Sequence, residues 1–226
     1  ILYFVYMLVA GNLEAIEKKR VLVIAVLFLF SALFWAGFEQ AGSSLNLVAE
    51  RLTDRTYFGW EMPASWFQSV NPLWIITLAP VFAWMWVKLG KYQPSSPAKF
   101  AIGLILMGSG FLVLTWGTAL AVDGHEISPM WLIVTYLLHT CGELSLSPVG
   151  LSMVTKLAPK RFVGQMMGVW FMSISLGNLM AGLVAGYFEA MSVPVLFGAV
   201  AATAIGGGLI LFLLVPMLRK MMSGVH

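Results

Sequence analysis

Charge is scarce in this chain. Lys, Arg, Asp and Glu make up 10% of its 226 residues, against about 25% in soluble domains, while hydrophobic residues make up 60%. That balance excludes a soluble domain and identifies an integral membrane protein. Cysteine is almost missing. The lone Cys141 excludes an internal disulfide framework and gives no metal site. Histidine is equally thin: His125 falls in a loop, His226 at the terminus and His139 inside an apolar stretch. No glycine-rich segment follows a strand or precedes Lys-Ser/Thr, so there is no phosphate-binding loop, and neither a metal nor a cofactor is expected. Also absent are an initiator Met, a basic leader and a small-residue cleavage site, which leads to the expectation of a fragment rather than a natural N-terminus or a signal peptide.

What the chain does have is long apolar runs. Six of them, at about 21–49, 67–87, 99–121, 130–155, 162–188 and 193–217, are long enough to cross a roughly 30 Å hydrocarbon core at ~1.5 Å per residue. The opening "ILYFVYMLVA" is apolar but too short to span, so residues 1–20 are read as the end of a further helix plus a linker, and 218–226 as a tail. Lys and Arg fall unevenly. One side carries Lys18, Lys19, Arg20, Lys88, Lys91, Lys99, Lys156, Lys160, Arg161, Arg219 and Lys220, and the other only Arg51 and Arg55. Basic residues in short loops stay cytoplasmic, so both ends are expected in the cytoplasm, and the net charge of +3 reflects membrane topology and not a nucleic-acid partner. Small residues four apart in "GQMMG" (Gly164–Gly168) and "GLVAG" (Gly182–Gly186) predict close packing of the fifth span, and "IGGG" (Ile205–Gly208) does so, or adds flexibility, in the sixth.

Two of the ten acidic residues lie within spans. Glu143 is 14 residues from Pro129 and 13 from Lys156, which places it near the bilayer midplane. An ionised acid at a helix centre costs roughly 2.5 to 3.5 kcal/mol even on a lenient scale, so it should face a wet cavity, a cation, or carry a proton; the bland alternative is an interhelical hydrogen-bonding residue. His139, one turn earlier, could relay protons with it or simply hydrogen-bond in the bundle. Glu39 sits in the first span beside Gln40 and the small polar run "AGSSLN". Asn71-Pro72 opens the second span. Ser145, Ser147 and Pro148 surround Glu143, and Pro148 leaves either a hinge or an exposed carbonyl beside it. Trp170, nine residues beyond Arg161, is at mid-depth, where a Trp with nearby Glu, Asn and Ser makes a binding site and not an interfacial belt.

"FWAGFEQAGSSLNLVAE" (Phe34–Glu50), "VNPLWI" (Val70–Ile75), "KYQPSSPAKF" (Lys91–Phe100), "GELSLSPVGLSMVTKLAP" (Gly142–Pro159) and "MGVWF" (Met167–Phe171) resemble the seventh to eleventh helices of the proton-dependent oligopeptide transporters of the major facilitator superfamily. The resemblance implies an all-α membrane protein, a six-transmembrane-helix bundle forming the C-terminal half of a bacterial inner-membrane transporter. It implies proton-coupled symport of di- and tripeptides across the bilayer, with the N-terminal six-helix half as partner. Glu143 is then the contact for the peptide's ammonium, supported by Asn71. Trp170 and Trp35 are aromatic walls, Ser173 is a further polar contact, and Glu39 takes part in proton coupling. The basic residues that bind the peptide's carboxylate belong to the other half. Two other readings stay open: a transporter of the same superfamily carrying a sugar, nitrate or drug, and a membrane-embedded enzyme using Glu143 and His139 as acid and base.

Overall fold

The computed structural model describes residues 2–121 and 125–224; His226 lies outside them. The short helix α1 (Leu2–Ala10) turns at Asn12, which has a positive φ of 48°. The next helix, α2 (Ala15–Phe38), starts earlier than its apolar run because Glu14 and Glu17 cap it: the Glu14 N–H donates to Glu17 Oε2 at 3.0 Å. Lys18, Lys19 and Arg20 are therefore helical. The span expected to run unbroken to residue 49 is broken at its polar run. It tightens to a 3-10 turn over Glu39–Gly42, leaves helical geometry at Ser43 (φ −128°, ψ −96°), and resumes as α3 (Ser44–Arg51).

The chain then forms a small antiparallel hairpin, β1 (Thr56–Tyr57) and β2 (Trp60–Glu61), a local addition to an otherwise helical bundle. Phe58 and Gly59 both have positive φ, the geometry a tight two-residue hairpin turn requires. Arg55 pins this hairpin through Glu61 at 2.6 Å and the Met62 carbonyl at 2.6 Å, while Arg51 pairs with Glu189. The two basic residues outside the Lys-rich end are thus both held by acids.

Four helices follow: α4 (Val70–Leu89), α5 (Ser96–Ala119), α6 (Met130–Leu157) and α7 (Val163–Ala185). The last, α8 (Val193–Met221), continues past the expected 217 and takes Arg219 and Lys220 into its final turn. Among the described residues five stretches, Ala15–Arg51, Ala64–Tyr92, Ser96–Ala119, Lys160–Ala185 and Val193–Met221, are helical, long and apolar enough to cross a membrane. At 28 residues α6 is also long enough, but Thr135, His139, Thr140, Glu143, Ser145 and Ser147 dilute its apolar character.

Packing is set by glycines at three crossings. Where α5 meets α6, a Cβ on Gly103 would lie 2.9 Å from the Gly142 carbonyl, and one on Gly142 2.7 Å from the Gly103 carbonyl. Between α5 and α8, Gly108 and Gly208 fill the same role: a Cβ on Gly108 would come within 3.1 Å of the Ala201 carbonyl, and one on Gly208 within 3.0 Å of Ala101's. Between α2 and α7, a Cβ on Gly177 would strike the Trp35 Cβ at 2.4 Å. The reading of "GQMMG" and "GLVAG" as packing faces is overturned. Gly164, Gly168 and Gly182 have no atom within 4 Å of a notional Cβ, and Gly186 meets only its own helix. Spacing defines a smooth face but not whether a neighbour lies across it. "IGGG" does mark packing, since Gly207 faces Leu33 and Gly208 faces α5.

This predicts opposite signs for one substitution at two glycines. Gly142→Ala should destabilise by about 1 to 3 kcal/mol, because backbone must shift to admit the methyl. Gly182→Ala should instead gain up to about 1 kcal/mol of helix propensity. Melting curves of the purified protein check this; equal shifts at both positions would contradict the packing described.

Candidate functional site

The polar centre of the bundle is built where the start of α4 meets the middle of α6. Asn71 lies in the first turn of α4, where Pro72 is tolerated because early helical N–H groups have no intrahelical acceptor. Its side-chain amide donates to Thr140 Oγ1 at 3.0 Å and to Glu143 Oε2 at 3.3 Å. Thr140 is set as an acceptor by donating its own hydroxyl to the Tyr136 carbonyl at 2.8 Å. Glu143 and Asn71 are both half-buried.

The structure thus brings Asn71 and Glu143 together. Glu39, at the 3-10 break, is close enough for its charge to act on Glu143. Among the described residues, neither carboxylate forms an ion pair with a Lys or Arg. The site is therefore two acids, of which Glu143 is held by the Asn71 amide, with an uncompensated preference for a positive partner.

The remaining residues form the wall and its backing. Trp35 packs edge-on to Phe34 and Phe38, with ring centres 5.6 and 5.2 Å apart. Trp170 is only 6% exposed. Its ring sits 6.0 Å from Phe100 and over Gly150, where a Cβ would come within 2.4 Å of it. Ser173 is fully buried; its hydroxyl bonds the Trp170 carbonyl at 2.7 Å and Ser31 Oγ at 2.9 Å, tying α7 to α2. Pro148 is exposed, and α6 runs through it without interruption. Having no N–H, it offers nothing to the Leu144 carbonyl one turn earlier.

His139 turns away from this centre. It is buried in the α5–α6 seam, 4.7 Å from the Phe111 ring, opposite Gly110, where a Cβ would come within 2.6 Å of its ring. Among the described residues no hydrogen bond joins it to Glu143, so the two do not form a relay here. Among the described residues, no group of three His, Cys, Asp or Glu could hold a metal ion. An apolar cavity of about 260 Å³ between α2, α7 and α8 includes Gln40 in its lining but neither Glu39 nor Glu143. The acidic centre instead lies beside α4, a helix with no buried residue, and Glu143 and Asn71 both stay partly exposed.

Three contributors escaped the sequence reading. Thr140 lies three residues before Glu143, a spacing that shares a helix face and could have flagged it. Gly103 and Ser31 carried no signal, because each matters only through a partner on another helix.

Comparison with known proteins matches the POT family over residues 3–203. The chain is 43% identical over 232 aligned residues to the peptide transporter YePEPT of Yersinia enterocolitica, covering all of this chain and 45% of that protein. It is 34% identical to a di-/tripeptide transporter of Lactococcus lactis, again over its whole length and 46% of the relative. Among solved structures, the peptide transporter POT in complex with sulfate superposes with a TM-score of 0.93 at 41% identity, covering 99% of this chain and 45% of that one. A glutamate-to-glutamine mutant of a peptide transporter POT in complex with alafosfalin also gives 0.93 at 41% identity, covering 99% and 46%. The chain spans about half the length of these relatives.

The Ser31–Ser173 bond yields a direct test of how the backing layer is held. Ser31→Ala and Ser173→Ala should each destabilise, and the double mutant should lose less than their sum, with a coupling of about 0.5 to 1.5 kcal/mol. Strict additivity in the melting temperatures would show that the two hydroxyls do not share a bond.

Proposed function

The chain belongs to the POT family, and from that premise we propose that it is the C-terminal half of a proton-coupled symporter of di- and tripeptides. In this reading α2 with α3, and α4 to α8, make a six-helix transmembrane bundle within residues 21–217, and residues 1–20 belong to the end of a helix and linker between the halves. Both ends of the chain lie on the cytoplasmic side of a bacterial inner membrane, as the Lys-rich end argues. The N-terminal half supplies the basic residues for the peptide's carboxylate. The observation that carries the reading is the Asn71–Glu143 pair, a partly exposed acid that has a neutral hydrogen-bond donor and, among the described residues, no Lys or Arg ion pair.

Glu143 holds the peptide's ammonium, and Asn71, with Thr140 behind it, fixes the carboxylate's direction. Trp35 forms an aromatic wall. Trp170 and Ser173 work from the packed layer: Trp170 completes the side-chain wall when the α6–α7 seam opens, and Ser173 keeps its helix on α2. Pro148 serves as the hinge of α6, since the unpaired Leu144 carbonyl permits bending there. Glu39 sits at a helix break, so a change in its surroundings between conformations changes its proton affinity and couples proton movement to rocking of the halves. The proton is the coupling ion and no cofactor takes part. Among the described residues no group of three His, Cys, Asp or Glu could hold a metal ion, and the relatives are named transporters, which favours transport over a membrane-embedded enzyme.

Uptake of labelled dialanine into vesicles carrying the full-length transporter tests the assignment. An inward proton gradient should drive accumulation that excess dipeptide abolishes and excess sugar or nitrate leaves intact; the reverse pattern would replace peptides with another solute. Glu39→Gln should abolish gradient-driven accumulation while sparing peptide counterflow, which needs binding and rocking but no net proton movement. Equal loss of both would make Glu39 a general structural residue.

A further inference from the structure

We infer that the cavity at the Lys-rich end of the bundle binds the phosphate headgroup of an anionic phospholipid. This cavity, about 620 Å³, lies where the α4–α5 connection, the later turns of α6 and the end of α8 meet. Lys91, Lys99, Lys156 and Arg219 line it together with Ser95 and Ser96, and among the described residues no acidic side chain does. It is separate from the acidic centre, sharing with it only the exposed Pro148 on α6.

Lys99 distinguishes this cavity from a scatter of surface lysines. It stands in the first turn of a membrane-spanning helix and is only 8% exposed. Its Nζ donates to Gln93 Oε1 at 2.8 Å and lies 4.2 Å from the centre of the Trp86 ring. An ammonium has three donors. A neutral amide takes one and the indole face steadies the charge, but among the described residues no carboxylate forms an ion pair with it. A buried cation held only by a neutral amide and a ring face is costly until a counter-charge arrives.

Phosphate matches what the cavity offers. The lysine ammoniums act as point charges, and the Arg219 guanidinium can donate two parallel bonds. The first turn of α5 opens on the same space, its N-cap Ser95 making no capping bond with its side chain, so the positive end of the helix dipole faces the anion. Lipid is the source because of what adjoins the cavity. Tyr92, between the lining residues Lys91 and Gln93, and Leu151, three residues after the lining Pro148 and so on the same face of α6, are 78% and 41% exposed and give an apolar surface for acyl chains beside the cations. Basic pockets of this kind at a membrane boundary take anionic headgroups.

Native mass spectrometry of the full-length transporter in detergent, titrated with dioleoylphosphatidylglycerol or dioleoylphosphatidylcholine, tests the site. Wild type should bind the glycerol lipid at least about tenfold more tightly, and Lys91→Gln with Arg219→Gln should weaken it on the order of thirtyfold. Lys99→Gln should abolish the preference; the double variant at the exposed positions reads the site independently should the buried change unfold the protein. Lys220→Gln, which alters an exposed cation outside the cavity, should change nothing. Equal binding of both lipids, or equal losses from Lys220→Gln and the double variant, would overturn the site. Full competition by millimolar inorganic phosphate would overturn the lipid as its source. Absence of any lipid binding, as when acids of the other half fill the cavity, would overturn the proposal too. Peptide uptake is a separate readout, so the fate of this site is distinguishable from that of the transport reading.

Discussion

The hydrogen bond from the Asn71 amide to Glu143, 3.3 Å long, is the interaction around which this bundle is organised. A carboxylate near the middle of a membrane helix needs a hydrogen-bond donor, a cation or a proton. Here it receives one neutral donor from α4, and that donor is shared with Thr140 at 3.0 Å. The arrangement satisfies enough of the carboxylate to keep it directed and leaves enough unsatisfied to favour a cation. A Lys in place of Asn71 would neutralise the site permanently; an apolar residue would leave the acid undirected. On the proposed reading, a neutral amide is the compromise that suits a group whose charged partner comes and goes.

The rest of the bundle serves to fix where those two side chains meet. Gly142 precedes Glu143 in sequence and lies backbone to backbone with Gly103 of α5, so the carboxylate is set by a seam that has almost no slack. That seam faces α5, which turns Glu143 toward α4. On the other side, the bond between Ser31 and Ser173 and the contact of Gly177 with Trp35 hold α7 against α2. The break at Glu39–Gly42 comes just beyond that contact. One acid therefore projects from a rigid crossing and the other from a local irregularity. On the proposed reading this is a division of labour: the rigid one binds, and the one at the irregular backbone responds to conformational change.

Much of this was legible in the sequence, for physical reasons that can be named. Lipid demands about 20 apolar residues per crossing, so span positions were visible, and a charge inside such a run stands out against its cost. Glu143 and Glu39 stand out in that way, and Asn71 stands out as a polar residue before a proline at the start of a span. The Ala15 start of α2 was obscured because lysines extend a helix as readily as they end a membrane span. The 3-10 break was hidden in a polar run that a continuous helix could also have carried. Packing was the least legible. Four-residue spacing pointed to Gly182 and Gly186, which touch nothing across a helix, whereas Gly103 and Gly142 meet across two elements far apart in sequence. Ser173 was legible only through its resemblance to a family, and the bond it makes to Ser31 was not.

The central claim is that Glu143 is kept to hold the ammonium of a peptide, and its most direct test is ligand competition in the full-length transporter with dialanine and N-acetyl-dialanine. Removing a charge-assisted partner from a buried site costs on the order of 2 to 5 kcal/mol, or roughly 30-fold to several thousand-fold in affinity. Wild type should prefer the free amine by a margin of that size, and Glu143→Gln, which keeps the shape but not the charge, should bind the two ligands almost alike. A mutant that retains the wild-type preference would contradict the account and leave Glu143 as an interhelical hydrogen-bonding residue.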